Sequence, residues 1–138
     1  RAARRGDRLH GRPGPGGHGR AGDVHPDRVR DGLRVRHRGA HHGDHARARR
    51  GRLEQWEVRN ASAEPHPFHV HATSFQVVSR TSGPLGAQDL GWKDTVLTWP
   101  GETVTLAIRF EQYAGLYVLH CHNLEHEDAG MMLNLEVS

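Results

Sequence analysis

The chain has 138 residues, enough for one domain with a modest core and too few for two. Its net charge of +3 combines two segments of opposite sign. Residues 1–52 hold 15 Arg and 5 Asp, a net charge of +10, whereas residues 53–138 hold 4 Lys or Arg and 11 Asp or Glu, a net charge of −7. One cysteine excludes an intramolecular disulfide, and the absence of a long apolar run predicts no membrane span. Because the sequence starts at Arg1 without a visible signal segment, we expect a fragment or a misassigned start.

Residues 1–52 use only Arg, Ala, Gly, Asp, Leu, His, Pro and Val. The few Leu and Val residues are isolated and no regular period is visible, so the composition predicts a disordered Arg- and Gly-rich arm that buries no core. Codons for all of these types can begin with G or C, which favours a second interpretation, a GC-rich gene translated out of frame. On either interpretation we expect the folded domain to occupy residues 53–138.

A basic arm beside an acidic body is typical of proteins that bind nucleic acid or anionic surfaces. Because a shift of reading frame explains the arginines equally well, we expect no nucleic-acid partner. The histidines of the arm follow no ligand spacing; they could bind metal loosely but are poor candidates for a specific site. These histidines are His10, His18, His25, His37, His41, His42 and His45.

From Leu53 onward the sequence has the pattern of a β protein. Val104, Leu106 and Ile108 alternate with polar residues, as in a strand with one buried face. Loop residues at 81–91 and the Pro100-Gly101 turn separate such runs, and no helix is predicted beyond a short turn at 111–114. The pattern therefore predicts an all-β Greek-key sandwich or barrel. The predicted strands are 53–60, 74–80, 93–99, 103–110, 115–121 and 131–137.

All six histidines after residue 52 lie in two clusters, residues 66–71 and residues 120–126. Because residues two apart share a face of a strand, His69 and His71 point together, and so do His120 and His122. By the same parity Cys121 and His66 point the opposite way. The sequence therefore predicts two sites on opposite sides of one layer. One site gathers His69, His71, His120 and His122, and the other gathers His66, Cys121, His126 and Met131.

Two imidazoles, one thiolate and a thioether form the ligand set of a blue copper centre. The four-imidazole set suits copper that handles oxygen, because neutral nitrogen ligands leave metal positions open. A structural zinc site normally uses four Cys or His ligands without Met. A buried Cys or Met is often only a core residue, and a Cys–His pair can also form a thiol nucleophile. None of these alternatives explains two histidine clusters with a spaced methionine, so we interpret the pattern as copper binding.

The stretches HPFHVH (residues 66–71) and HCHNLEHEDAGMM (residues 120–132) resemble the two C-terminal copper motifs of multicopper oxidases, such as laccases, bilirubin oxidases and cuprous oxidases. The run GWKDTVLTWPGETVTLAIRF is most similar to bacterial three-domain members. The resemblance covers about residues 53–138 and implies a C-terminal cupredoxin domain that lacks its first strands. It implies these ligands: His66, Cys121, His126 and Met131 at a type 1 copper, His69 at a type 2 copper, and His71, His120 and His122 at a type 3 pair.

The resemblance also implies a reaction. In the family a small reducing substrate (a phenol, a pigment or a metal ion) gives electrons to the type 1 copper, and O2 is reduced to water at the trinuclear cluster. Glu127 resembles a position that helps deliver protons; its alternative interpretation is a solvated acid beside a metal loop. Met131 as axial ligand implies a lower potential than Leu or Phe would give. Relatives are commonly periplasmic or extracellular, so that is the location we expect.

In the family the first domain supplies half of the histidines of the trinuclear cluster, and no second pair of His-x-His motifs is visible here. We therefore expect weak or no oxidase activity from this chain alone, and a need for missing N-terminal cupredoxin domains or another subunit. Two alternatives stay open: a non-catalytic blue copper protein that carries electrons or copper, and an inert fragment of a disrupted gene. The four-imidazole set favours the oxidase, because a carrier needs only the type 1 ligands.

Overall fold

The computed structural model describes residues 27–28, 32–37 and 45–138. In these residues the chain forms ten β-strands, one short α-helix and a 3-10 turn at Ala87–Asp89. The elements in chain order are β1 (Asp27–Arg28), β2 (Leu33–His37), β3 (His45–Ala48), β4 (Leu53–Asn60), β5 (His66–Val70), β6 (Phe75–Arg80), β7 (Thr95–Thr98), β8 (Thr103–Arg109), β9 (Gly115–Cys121), α1 (Leu124–Asp128) and β10 (Met132–Val137).

The strands form two five-stranded sheets with the orders β1-β2-β4-β8-β6 and β3-β10-β9-β5-β7. Every strand pair is antiparallel except β3 with β10, which is parallel. One face of each sheet contributes to a shared apolar core, as in a β-sandwich. The prediction of an all-β sandwich is confirmed.

The alternation predicted for β8 and β10 decides which side chains fill this core. Val104, Leu106 and Ile108 are fully buried, and Leu135 on β10 is equally buried. Trp56 on β4 packs against them and lies 5.9 Å, ring centroid to ring centroid, from Phe110. Burying an aliphatic or aromatic side chain of this size contributes about 1.5–3 kcal/mol to folding. These strands therefore supply much of the stability on which the strands with the predicted ligands depend.

The prediction that residues 1–52 bury no core, and that the opening strands are missing, is wrong for the residues described there. Leu33 and Val35 on β2 are fully buried, and β2 pairs in register with β4. Ala46 and Ala48 on β3 are also buried, beside β10. The physical reason is that Leu-Arg-Val-Arg already alternates with period 2, and pairing with a stable neighbour compensates for weak local signals. The expected disorder of residues 1–26, 29–31 and 38–44 lies outside the described residues, and the reading-frame idea stays a hypothesis.

The predicted turn at 111–114 is wrong as a helical element, and the helix forms at Leu124–Asp128 instead. Asn123 caps it, because its side chain accepts a hydrogen bond from the Glu125 N–H at 3.2 Å. Five residues are too short for a helix signal in a sequence pattern, which explains the error. Among the described residues, no helix has the length and apolar character needed to cross a membrane.

A buried charged network closes one end of the sandwich. Arg80 Nη2 lies 2.7 Å from Asp89 Oδ1, and Arg80 Nη1 lies 3.0 Å from Glu102 Oε1. Ser82 Oγ donates to Glu102 Oε1, and the Trp99 N–H donates to Glu102 Oε2. Burial opposes ionisation of both carboxyls, yet the bond from Arg80 holds the pKa of Asp89 below its usual value, and the bonds from Ser82, Trp99 and Arg80 do the same for the pKa of Glu102. The network fastens the β6–β7 loop to the β7–β8 turn.

Candidate metal centre

Two neighbouring strands, β5 and β9, carry four of the eight predicted ligands, and two more, His71 and His122, directly follow them. They pair antiparallel, with Phe68 opposite Cys121 and His69 opposite His120. Side chains of opposite residues share a face, so His69 and His120 lie on the outer face of the sheet. Cys121 is fully buried on the core side, as is His66 at 2% exposure. The structure therefore separates the histidines into two groups, as strand parity predicted.

The first group, here called the core-side cluster, consists of His66, Cys121 and His126. The Nδ1 atoms of His66 and His126 lie 3.0 Å apart, and each lies 3.5 Å from Cys121 Sγ. His126 reaches this position because α1 folds the chain back after Cys121. Three donor atoms of two kinds thus face a single point.

Met131 belongs to the same region of the molecule. Its side chain is 3% exposed. Its carbonyl oxygen accepts a hydrogen bond from the Cys121 N–H at 3.1 Å, and its N–H donates to the His126 carbonyl at 2.9 Å. The main chain of Met131 is therefore bonded to two residues of the core-side cluster, as expected for the last position of a Cys-x4-His-x4-Met loop.

The second group, here called the outer-face cluster, consists of His69, His71, His120 and His122. The ligand nitrogens of His69, His71 and His120 lie within 4.8 Å of one another, and His71 Nε2 is 3.0 Å from His120 Nε2. The ring of His122 lies 5.4 Å from that of His69 and 5.5 Å from that of His120, between centroids. His71 and His122 are exposed. The structure brings all four predicted imidazoles onto one surface.

Hydrogen bonds orient two rings of the outer-face cluster. His69 Nδ1 lies 2.9 Å from both the Asp94 carbonyl and Thr95 Oγ1. His120 Nδ1 lies 3.1 Å from the Cys121 carbonyl. Because a carbonyl only accepts, each Nδ1 carries the proton and each Nε2 is left with its lone pair. A cleft of about 900 Å³ opens beside His69 and His71.

Burial shifts the proton affinity of several candidate ligands. It lowers the pKa of His66, with a further lowering from His126, and it also lowers the pKa of His69. Burial raises the pKa of the Cys121 thiol. Neutral imidazoles are ready to bind a metal ion, whereas the thiol must lose its proton, so metal binding releases a proton and strengthens as the pH rises.

The donor set of the core-side cluster fits copper. A first-row ion with bonds of about 2.0 Å to nitrogen and 2.3 Å to sulfur, at angles of about 100–120°, separates its donor atoms by roughly 3.1–3.8 Å. The spacings between the three donor atoms match this range closely. Two imidazoles and a thiolate in a trigonal arrangement, with methionine nearby, select copper over zinc, which normally takes a fourth Cys or His.

Glu127 lies on α1, with Oε2 at 3.8 Å from His120 Nδ1 and a side chain that is 35% exposed. The carboxylate therefore approaches the outer-face cluster from the helix. Of the early histidines, His45 is exposed on β3. His10, His18, His25, His41, His42 and the side chain of His37 lie outside the described residues.

Sequence reasoning missed Ser62 and Glu64. Ser62 Oγ lies 2.7 Å from His66 Nε2, and Glu64 Oε2 lies 3.1 Å from His126 Nε2. Both residues precede the first histidine motif, but the histidines that they contact lie 4 and 62 residues further along the sequence. Only the fold brings Glu64 to His126, so no local pattern could have identified that contact.

The fold is a β-sandwich that carries two clusters of candidate metal ligands. The family model described as Multicopper oxidase matches residues 24–138. The chain is 47% identical over 88 residues to a laccase from Haloferax volcanii, covering 60% of this chain and 15% of the relative. It is 41% identical over 87 residues to a bilirubin oxidase from Albifimbria verrucaria, covering 59% and 15%. The chain belongs to the multicopper oxidase family.

Solved structures support the same assignment. The multicopper oxidase McoA from the hyperthermophile Aquifex aeolicus superposes with a TM-score of 0.64 at 44% identity. The superposition covers 67% of this chain and 21% of that protein, and the two-sheet architecture is cupredoxin-like, as predicted. This chain spans only about 15–21% of the length of the relatives and structures it matches here. The family match begins at residue 24, upstream of the predicted domain start at Leu53.

Proposed function

We propose that this chain is the C-terminal copper-binding domain of a multicopper oxidase and that its core-side cluster holds the type 1 copper. The arrangement of two Nδ1 atoms and one Sγ atom around a single point is the observation that carries the proposal. The residues that would hold this copper are His66, Cys121, His126 and, as a thioether donor, Met131.

The outer-face cluster serves as half of a trinuclear site. His69 is the type 2 ligand in this proposal, and His71, His120 and His122 are the type 3 ligands. The exposure of His71 and His122 and the adjoining cleft support a surface that a second part of the protein completes. Three metal ions would need more donors than four imidazoles offer, so further cupredoxin domains or another subunit would supply the rest.

Bound copper would supply one-electron chemistry that couples oxidation of a reductant at the type 1 site to reduction of O2 to water at the trinuclear site. The chain provides a short route between the two sites. Cys121 is bonded directly to His120 and His122 in sequence, and these residues point to the opposite face of the sheet. The His120 Nδ1–H also donates to the Cys121 carbonyl at 3.1 Å, which adds a hydrogen-bonded branch to the covalent path.

Glu127 is the proposed proton-delivering residue. Its carboxylate, 3.8 Å from His120 Nδ1 and partly open to solvent, can exchange protons with water and hold one at the edge of the outer-face cluster. The reductant is a phenol, a pigment or a metal ion. The proposed location is periplasmic or extracellular, as is common in the family.

A blue copper protein that only carries electrons or copper is the second candidate. The completeness of the core-side cluster within this chain favours it, because such a protein needs no other site. The outer-face cluster favours the oxidase, since four imidazoles on one surface have no role in a carrier.

Titration of the purified chain with Cu(II) tests the proposal. We expect an intense visible band from the thiolate–copper bond in the wild type and none in Cys121→Ser. Absence of the band from folded wild-type protein would contradict a type 1 site. Oxygen uptake with a phenolic reductant then separates the two candidates: the oxidase proposal predicts weak uptake by this chain and strong uptake once the missing domains are supplied, whereas a carrier shows none in either case.

A further inference from the structure

The segment 60–64 contacts both imidazoles of the core-side cluster at their Nε2 atoms, which point away from Cys121. Asn60 anchors this segment and is fully buried. Its Nδ2 donates to the carbonyls of Glu64 at 2.6 Å and Thr98 at 3.0 Å, and its Oδ1 accepts from the Ser62 N–H at 2.9 Å. These contacts fix which end of the amide is oxygen, because both partners of Nδ2 are acceptors only.

The Ser62 hydroxyl has one proton to donate and lies beside two oxygen atoms that have no proton of their own. Its Oγ lies 2.8 Å from Asn60 Oδ1 and 3.0 Å from the Glu64 carbonyl oxygen. We assign this proton to one of these oxygens, and across the 2.7 Å contact His66 Nε2 is then the donor. His66 then carries its proton on Nε2 and presents the Nδ1 lone pair to Cys121.

Glu64 imposes the same tautomer on His126. The carboxylate Oε2 lies 3.1 Å from His126 Nε2 and only accepts, so Nε2 carries the proton. The two Nδ1 lone pairs then face each other across 3.0 Å, with Cys121 Sγ 3.5 Å from each. Lone pairs at this distance repel unless a cation lies between them, so the outer contacts prepare the cluster for a metal ion.

We propose that Ser62 and Glu64 are positioning residues that fix the tautomers of both imidazoles, with Glu64 also raising the electron donation of His126. This inference rests on the proposed type 1 site. A histidine whose distal N–H donates to a carboxylate is a stronger ligand, and removing such a partner typically lowers metal affinity about 10–100-fold. Glu64 has the larger effect because it offers His126 a charged acceptor, whereas Ser62 offers His66 only a neutral hydroxyl.

Glu64 can be changed without disturbing the fold, because its side chain is 70% exposed. In Glu64→Ala we expect the affinity for Cu(II) to fall about 10–100-fold. Cu(I) carries less charge and depends less on donation, so its affinity falls less. If only the Cu(II) affinity changed, each tenfold loss would raise the one-electron potential by about 59 mV. Glu64→Gln keeps a neutral acceptor and gives an intermediate shift, and Ser62→Ala gives a smaller one.

Glu57→Gln is the matched control. It removes one exposed carboxylate from β4, in the other sheet, and leaves affinity and potential unchanged. The experiment measures Cu(II) affinity and midpoint potential on the copper-loaded full chain of each variant. In the metal-free chain, nitrogen NMR at a pH where the imidazoles are neutral reports the tautomers: His126 is protonated at Nε2 in wild type and becomes mixed in Glu64→Ala.

The outcomes separate this inference from the proposed function. A wild-type chain without the thiolate band overturns the type 1 site, and the inference with it. A wild-type band together with unchanged affinity, potential and tautomer in Glu64→Ala overturns the inference alone. A shift that Glu57→Gln reproduces also overturns it, because the effect would then be one of net charge. A tautomer change and a higher potential confined to the Glu64 and Ser62 variants support it.

Discussion

The two histidine clusters lie back to back on β5 and β9 but differ in how completely the chain surrounds them. In the core-side cluster, Cys121 is fully buried, and the distal nitrogens of His66 and His126 both meet a protein partner. In the outer-face cluster, His71 and His122 are exposed, and a cleft of about 900 Å³ adjoins His69 and His71.

This difference shows that one pair of strands can build a finished site on one face and an unfinished one on the other. Strand alternation places the ligands of both sites, but only the core side has the rest of the sandwich to enclose them. Under the proposed function, the core-side cluster binds its metal within the chain, whereas the outer-face cluster depends on another surface.

The largest expected effect comes from a pair of variants, one in each cluster. Cys121→Ser removes the thiolate, so the visible band disappears completely and copper affinity of the core-side cluster falls by more than the 10–100-fold typical of an outer partner. His71→Ala leaves that band unchanged, because His71 lies on the other face. Visible absorption during copper titration of both variants measures this, and loss of the band in His71→Ala would contradict separate sites.

A second large effect is expected on stability, from the buried charged network of Arg80, Asp89 and Glu102. Glu102→Ala leaves Arg80 with one carboxylate instead of two and removes the acceptor of Ser82 and the Trp99 N–H. We expect the free energy of unfolding to fall by about 3–5 kcal/mol. Denaturant titration measures it, with the exposed Glu57→Ala as control at less than about 0.5 kcal/mol. Equal losses of unfolding free energy in the two variants would show that the network does not contribute specifically to stability.

The same network predicts loss of stability in acid. Asp89 and Glu102 have pKa values in the folded chain below those of the unfolded chain, which are about 3.9 and 4.3. Their contribution is therefore complete above about pH 5 and is lost as the pH falls below 4 toward the folded pKa values. The unfolding free energy of wild type, measured between pH 2 and 6, should fall more steeply than that of Glu102→Ala. Parallel curves of unfolding free energy against pH for the two proteins would contradict the lowered pKa of Glu102.

The variant Gly32→Ala tests whether the chain at the start of β2 helps to position Ser62 beside the core-side cluster. A Cβ at Gly32 would lie 2.6 Å from the Cβ of Ser62, and the backbone there has φ of +129°. Gly32→Ala should cost about 1–3 kcal/mol and lower copper affinity by displacing Ser62. Gly51→Ala is the control, since Gly51 has φ of +76° with nothing within 4 Å. It costs about 1–2 kcal/mol from strain alone and leaves copper affinity unchanged. Unchanged copper affinity in Gly32→Ala would show that β2 does not support the site.

The smallest expected effect is at Ala72, next to His71 in the outer-face cluster. Ala72 has φ of +65°, a conformation that costs a residue with a side chain about 1–2 kcal/mol. Glycine relieves this strain but costs about 0.5–1 kcal/mol of chain entropy. Ala72→Gly should therefore stabilise the chain by at most about 1.5 kcal/mol in denaturant unfolding and leave the thiolate band unchanged. A clear destabilisation would show that the alanine methyl has a packing role.

The sequence predicted the parts of this fold that depend on alternation along one strand. Val104, Leu106 and Ile108 on β8 are buried, as a period of 2 predicts. The same parity placed His66 and Cys121 on the face of the sheet opposite to the outer-face histidines. Those predictions succeeded because strand geometry fixes the direction of each side chain relative to its neighbours.

Features that depend on contacts distant in sequence could not be predicted. Leu33 and Val35 lie in a segment whose overall composition indicates disorder, and pairing with β4 gives them a strand. The contact of Glu64 with His126 crosses 62 residues and is set by where α1 folds. Composition describes a segment in isolation, whereas these residues take their structure from neighbours.

The number of copper ions that the chain retains tests most directly whether one site is finished and the other is not. The copper-loaded chain is passed over a chelating resin, and the bound copper and visible spectrum are then measured. We predict about one copper ion per chain, with the intense thiolate band, and removal of copper from the outer-face cluster. Retention of several ions, or of one ion without the band and equally in Cys121→Ser, would contradict the account.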